Sequence, residues 1–380
     1  MKRTRRTVLP IATLLFALGA LPAAASGPAS WEGAGNMHVA HAGTATALHG
    51  GEVLVAGGYT EGDVTTAAAD LYDAQSGTWS AAPDMGVPRS RHTATRLQDG
   101  RVVVAGGFDQ QSCWPATCGV PIHPSAEVFD PKAGAWSPIA PMAGPRTHHA
   151  ALLLHDGRVM VVGGFDDIFS LATTETYHPG TGAWSPAATM ATPRSDHSAT
   201  LLHNGKVLVA GGFGSDGSPL ATAEVYDPVA DAWAPTGSMS GARSLFTATR
   251  LNNGEVLVAG GIALPLTPPP GFPVLATAEA YDPKTGAWAP TGPMTSPRVG
   301  HVAAPLVAGS VLVAGGEDMD LHPIASAEVY DPAARTWTAT AAMSTPRAYP
   351  VASPLQGGRV LVAGGFAINQ PHSSAELYAA

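Results

Sequence analysis

The sequence predicts an all-β fold of seven four-stranded units closed into a ring, a seven-bladed β-propeller, on three observations. Near-copies of Gly205-Lys206-Val207-Leu208-Val209-Ala210-Gly211-Gly212-Phe213 recur along the chain, ending on Gly57-Gly58, Gly106-Gly107, Gly163-Gly164, Gly211-Gly212, Gly260-Gly261, Gly315-Gly316 and Gly364-Gly365. Six units carry Tyr or Phe seven residues before a Trp (Tyr72/Trp79, Phe129/Trp136, Tyr177/Trp184, Tyr226/Trp233, Tyr281/Trp288, Tyr330/Trp337), and a Met follows each Trp by six residues. The glycine pairs lie 48 to 57 residues apart, room for one four-stranded sheet each.

Each element has its own reason. The first strand of a unit, such as 196–202, runs into Asn204-Gly205, Asp99-Gly100, Asp156-Gly157 or Asn253-Gly254, dipeptides that favour a two-residue hairpin turn with positive φ. The second strand is four or five apolar residues rich in Val, too short for a helix and read as buried. Its Gly-Gly ending lets backbones approach where a Cβ would clash. The third strand, such as 222–226, meets the Trp strand through Asp227-Pro228 or Asp282-Pro283-Lys284-Thr285-Gly286, the composition of a type I turn. One such sheet cannot bury both faces and leaves edges open, so a radial ring is the economical arrangement. The last unit stops after Ala375-Glu376-Leu377-Tyr378 without a Trp strand, and Trp31 followed by Met37 supplies one at the other end. The ring is therefore expected to close by pairing the Trp31 segment with 374–378.

Gly-Gly at the end of the second strand, the Tyr and the spaced Trp resemble the Kelch repeat, over about residues 29 to 378. That resemblance implies the propeller; it leaves function open, because Kelch propellers include enzymes, sugar binders and interaction modules. The seven-unit plan is also similar to the propeller of galactose oxidase-type copper radical enzymes, in which a Tyr cross-linked to Cys, a second Tyr and two His hold copper. Here Cys113 and Cys118 lie in one loop and no such set can be matched, so neither metal nor cofactor is expected. The Kelch sugar isomerase N-acetylneuraminate epimerase is a second analogy, matched in repeat type but in no catalytic motif.

Residues 1–25 read as a signal peptide: Lys2, Arg3, Arg5 and Arg6, an apolar run from Ile11 to Leu21, then Ala23-Ala24-Ala25. Residues 26–380 read as one propeller domain, secreted, periplasmic or cell-surface. Four of the 20 Lys and Arg belong to the leader, so 16 face 29 Asp and Glu and the exported part carries a formal charge near −13. Nucleic acid and anionic membrane surfaces are poor partners at that charge, and no membrane insertion is expected once the leader is removed. In an exported protein Cys113 and Cys118 are expected to form a disulfide pinning the loop that contains Trp114.

Two columns of charge recur. Arg89, Arg146, Arg194, Arg243, Arg298 and Arg347 follow each Met by four residues; Asp70, Glu127, Glu175, Glu224, Glu279, Glu328 and Glu376 occupy one site of the third strand. A residue used in every blade serves every blade, so these read as structural pairs. His92, His149, His197 and His301 recur three residues after the Arg and read as core or channel lining. The acids Asp166-Asp167 and Glu317-Asp318-Met319-Asp320 match no calcium loop and read as solvated. The position two residues after each Arg varies instead: Arg91, His148, Asp196, Leu245, Gly300 and Tyr349. Variation on a shared scaffold suits recognition, so Arg91, His148, Asp196 and Tyr349, with Trp114, are the candidate ligand-binding residues and none is assigned catalysis. The expected function is binding of an extracellular protein or glycan on the face bearing the long second-to-third strand loops, by a monomer. The alternative is a sugar-directed isomerase or oxidase.

Overall fold

The computed structural model describes residues 29–110, 121–263, 273–368 and 370–380. The leader, Cys113, Trp114, Cys118 and the Pro268-Pro269-Pro270 segment lie outside the described residues. The chain forms seven four-stranded antiparallel sheets. Blade 4 shows the plan, with strands Ser198–Leu201, Val207–Ala210, Ala223–Asp227 and Ala232–Thr236 running from the axis outward. Each inner strand lies against the inner strands of two neighbours, and Val351–Pro354 of blade 7 meets Ala42–Ala47 of blade 1, which completes the ring. Among the described residues no helix is long and apolar enough to cross a membrane.

Closure follows the expected pairing. Ser30–Asn36 is the outer strand of blade 7, antiparallel to Ser374–Ala379, with Trp31 opposite Tyr378 and Glu32 opposite Leu377. The sheet order is thus first strand of the chain, last strand, then the two inner strands.

The core lies between blades. In Val159–Val162 of blade 3, Val159 and Val161 pack toward blade 2 beside Val103 and Ala105, while Met160 and Val162 pack toward blade 4 beside Val207 and Val209. A strand buried on both faces has no reason to alternate in polarity, which is why this segment is apolar throughout. The seven-residue spacing of Tyr and Trp places them directly opposite on the third and outer strands: Tyr226 pairs with Trp233, their rings 5.1 Å apart. In six blades the indole N–H ties one blade to the previous one, as Trp136 Nε1 donates to Pro83 O at 2.8 Å, whereas buried Trp337 Nε1 of blade 6 has no such partner among the described residues.

The glycine pair has a steric cause. A Cβ on Gly163 (φ +61) would fall 2.6 Å from His197 Cε1 of the next blade, and one on Gly164 (φ +105) 2.8 Å from His149 Cβ of its own blade. The recurrent histidines therefore sit on the glycines. His92, His149 and His301 reach a threonine of the preceding blade, Thr44, Thr93 and Thr247, at 2.9–3.1 Å.

The hairpin turns differ from expectation. In 202–206, Leu202 N donates to Lys206 O and Gly205 N to Leu202 O, and only Gly205 has positive φ. This is a type I turn followed by a left-handed glycine, a three-residue loop. The Asn204 side chain accepts the Lys206 N–H at 3.1 Å, which favours right-handed backbone at Asn204 itself.

Candidate functional site

Each crossover between blades ends in the buried Arg. Arg194 Nη1 donates to Gly211 O and Thr222 O, and Nη2 meets Glu224 Oε1 at 3.1 Å. Glu224 also accepts the N–H groups of Ala191 and Thr192, so a single carboxylate clamps the crossover to its blade. Arg89–Glu127, Arg146–Glu175, Arg243–Glu279, Arg298–Glu328 and Arg347–Glu376 repeat the pair at 2.6–3.2 Å.

Blade 1 replaces both members. His41 Nδ1 lies 2.6 Å from Gly57 O and Nε2 3.3 Å from Asp70 Oδ2, so the imidazole spans the carbonyl and the carboxylate that the guanidinium meets in the other blades. His38 adds its backbone N–H and Nδ1 to Asp70 Oδ1. Burial alone would raise the Asp70 carboxyl, but the hydrogen bonds from His41 and His38 outweigh it and hold the group below its usual range. Sequence reading identified Asp70 but missed its partners; the signal was His41 standing four residues after Met37.

With the crossovers fixed, the residues two positions beyond each Arg encircle the axis at the start of the inner strands. Arg91, His148, Asp196, Leu245 and Tyr349 share a left-handed backbone, φ 49° to 55°, with Gly300 at 63°. Backbone hydrogen bonds link them blade to blade: His148 N to Arg91 O, Asp196 N to His148 O, Leu245 N to Asp196 O and Tyr349 N to Gly300 O. Left-handed backbone is costly for side-chain-bearing residues, and each blade-to-blade bond helps to hold it. The Tyr349 ring fills the space over Gly300, where a Cβ would lie 2.4 Å from Tyr349 Cε1. Blade 1 contributes no such residue. Its crossover is one residue shorter from Met37 to Thr44 than from Met85 to Thr93, and the ladder shifts between Ala42 and Thr44.

The structure brings Arg91 and His148 into direct contact through Nη1 and Nε2, with His148 stacked on Phe108 at 6.4 Å. Burial, then the charge of Arg91, holds His148 well below its ordinary value and hence neutral. Burial pushes Asp196 up to about 6 against the opposing pull of Arg91. Tyr349 donates to Glu317 Oε2 at 3.5 Å, and burial followed by the Glu317 charge raises its phenol. Buried Tyr59 stands beside Arg91, which counters the rise that burial imposes on its phenol. Tyr59 was not singled out from sequence, and Glu317, expected to be a solvated acid, is instead half-buried and accepts from Tyr349 because its place directly after the glycine pair turns it toward the axis. They follow the glycine pair in a column otherwise made of Phe108, Phe165, Phe213, Ile262 and Phe366, and their polarity was the available signal. Candidate Trp114 lies outside the described residues.

The mouth thus combines a guanidinium, a neutral imidazole, a carboxyl that titrates near pH 6, a second carboxylate and two phenols. Such a set can donate to and accept from a polar ligand on several sides at once. It lies at the end where the second-to-third strand loops emerge, as Ser90 bridges to Phe108 and Phe108 to Ile122. In the blade 6 loop, Asp318, Asp320 and His322 place ligand atoms within 4.8 Å of one another, with Asp318 Oδ1 already accepting the N–H groups of Asp320 and His322.

A family model described as KLHDC2/KLHL20/DRC7 Kelch-repeats domain matches residues 43–261, and one described as Kelch motif matches residues 298–344. No curated protein matches in sequence. Among solved structures, a fungal alcohol oxidase described as having catalytic diversity among the AA5 family, in complex with copper, superposes with a TM-score of 0.72 at 18% identity, over 93% of this chain and 76% of that one. A structure of YjhT superposes with a TM-score of 0.62 at 16% identity, over 80% of this chain and 99% of that one.

Proposed function

The chain belongs to the Kelch-repeat family, and on that premise we propose that it is an exported binding protein that takes an extracellular protein or glycan ligand on the loop face of its propeller. One observation carries this reading: six blades hold one residue in the same left-handed conformation around the axis, and the side chains placed there are Arg91, His148, Asp196, Leu245, Gly300 and Tyr349. A position needed only for the ring has no cause to differ so widely in chemistry. The likeness to the oxidase is one of fold. Among the described residues, His148 Nε2 is engaged by Arg91 and the Tyr349 hydroxyl by Glu317, and the group at metal-ligand spacing is two carboxylates and one imidazole.

The test is a glycan array and a cell-surface pull-down with the mature protein, repeated with Arg91→Ala and Asp196→Asn. Binding should fall in both variants and survive Asn204→Ala on the opposite face; the reverse pattern contradicts the proposal. One observation favours the sugar-directed enzyme as a second reading: a carboxyl titrating near pH 6, beside Arg91, suits proton transfer. Turnover of a bound sugar with a pH profile that Asp196→Asn removes would establish it.

A further inference from the structure

The two ends of the propeller differ in charge. The Lys and Arg ion pairs that reach solvent, Arg101–Asp99, Arg158–Asp156, Lys206–Asp227 and Arg335–Glu255, all belong to the hairpins and to the turns between third and outer strands. Lys132 and Lys284 lie in those turns as well. The seven second-to-third strand loops contain no Lys or Arg at all. Their acids include Glu61 and Asp63 in blade 1, Asp167 in blade 3, Asp216 in blade 4, and Asp318 and Asp320 in blade 6. At the same end the recurrent Arg residues are buried against their glutamates, and Arg91 is buried in the channel mouth.

A second asymmetry coincides with the first. Ile168 (70% exposed), Phe169 (60%), Met319 (54%) and Ile368 (79%) stand on these same loops, whereas Val229, the other strongly exposed large apolar residue among those described, is on the opposite end. Acid and apolar side chains adjoin in Asp167-Ile168-Phe169 and alternate in Asp318-Met319-Asp320. Large apolar side chains held in water gain free energy when another surface covers them. Carboxylates with no basic residue in their loops create a negative field at this end that attracts cations and repels anions.

We infer that the loop-face ligand is a basic segment of another protein, with Lys or Arg interspersed among apolar side chains, seated on the acidic rim. This rests on the loop-face reading and narrows it. Acidic glycans are disfavoured by the field, and a neutral glycan can donate hydroxyls to the carboxylates but brings no positive charge to match the field. The apolar tips fit between the cations of a polypeptide, which delivers both chemistries with one backbone.

The probes are three synthetic peptides of equal length, with Leu at alternate positions and Lys, Ser or Glu between, measured by fluorescence anisotropy in the presence of a chelator. The proteins are the parent, a loop-face triple variant (Asp167→Asn, Asp318→Asn, Asp320→Asn) and a turn-face triple variant (Asp130→Asn, Asp282→Asn, Asp331→Asn) of identical net charge. Asn keeps the side-chain acceptor of each turn, and melting curves confirm the fold. The Lys peptide should bind the parent, and the loop-face variant should bind it roughly tenfold more weakly with a shallower salt dependence. The turn-face variant should change by less than about twofold. Ile168→Ser with Phe169→Ser should weaken binding while leaving the salt dependence unchanged. Equal losses in both triple variants, or equal binding of the Ser or Glu peptide, overturn the inference. If a ligand captured from the pull-down depends on Arg91 and ignores the acidic triple variant, the basic partner is wrong and the loop-face reading stands; if it ignores both, the loop-face reading falls as well.

Discussion

At Asp70 a shorter acid and a histidine do the work that Glu and Arg do in the other blades, and the exchange changes how the fold responds to pH. The Asp70 carboxyl is held below its ordinary value of 3.8, so its contribution is complete above that pH and is lost as pH falls through the folded value. Asp70→Asn should cost about 3 kcal/mol in denaturant unfolding at pH 7, with parent and variant converging in strong acid. The buried histidines act over a different range. Burial, and then Arg194, pushes His197 down to about 3, whereas the unfolded chain takes up that proton near 6.5. The unfolded state therefore binds more protons between these values, and stability falls as pH drops from 6.5 toward 3. His197→Phe, which copies Phe246 at the same site of blade 5, should keep stability at pH 7 within about 1.5 kcal/mol and flatten that decline; an unaltered slope in a pH series of unfolding curves would refute the assignment.

At the scale of the element, each blade is fixed by one glycine pair inside and one indole outside. Gly163→Ala places a methyl 2.6 Å from both Arg194 O and His197 Cε1, on a backbone of φ +61, so the inner strand of the next blade must shift. A loss of about 3 kcal/mol is expected, while Gly180→Ala, with nothing within 4 Å of the new methyl, should be near neutral. Trp136→Phe keeps most of the apolar area but removes the bond to Pro83 O, and should cost about 1 kcal/mol by thermal or chemical unfolding. The crossover clamp has the same logic: Glu224 serves Arg194 and two backbone N–H groups, so its loss leaves a buried guanidinium and a loosened crossover together.

The whole molecule depends on its two ends meeting. Ser30–Asn36 completes blade 7 and also touches both neighbours, through the Trp31 indole to Ala341 O and the Trp79 indole to Ala34 O. Removing residues 27–36 should lower the melting transition of the entire ring as one step and expose the edge of Ser374–Ala379 to aggregation. Grafting 29–32 after Tyr378 should restore part of the loss. A local change with an unshifted main transition would show that the ring is held without this strand.

Much of this was legible in the sequence because it repeats. Buried second strands, Tyr opposite Trp, the Arg and Glu columns and the missing last Trp strand are all consequences of one blade packing on the next, and seven copies make the spacing readable. Tertiary structure alone decided the contacts that do not repeat. Arg91 against His148, and Tyr349 over Gly300 and bonded to Glu317, join different blades at residues 57, 49 and 32 positions apart. No periodicity reports such pairs, since each depends on the rotation that brings successive crossovers to a common axis. The hairpins show the same division: Asn204-Gly205 announced a turn, and the ladder register with the Asn204 side-chain bond decided that it holds three residues with one left-handed glycine.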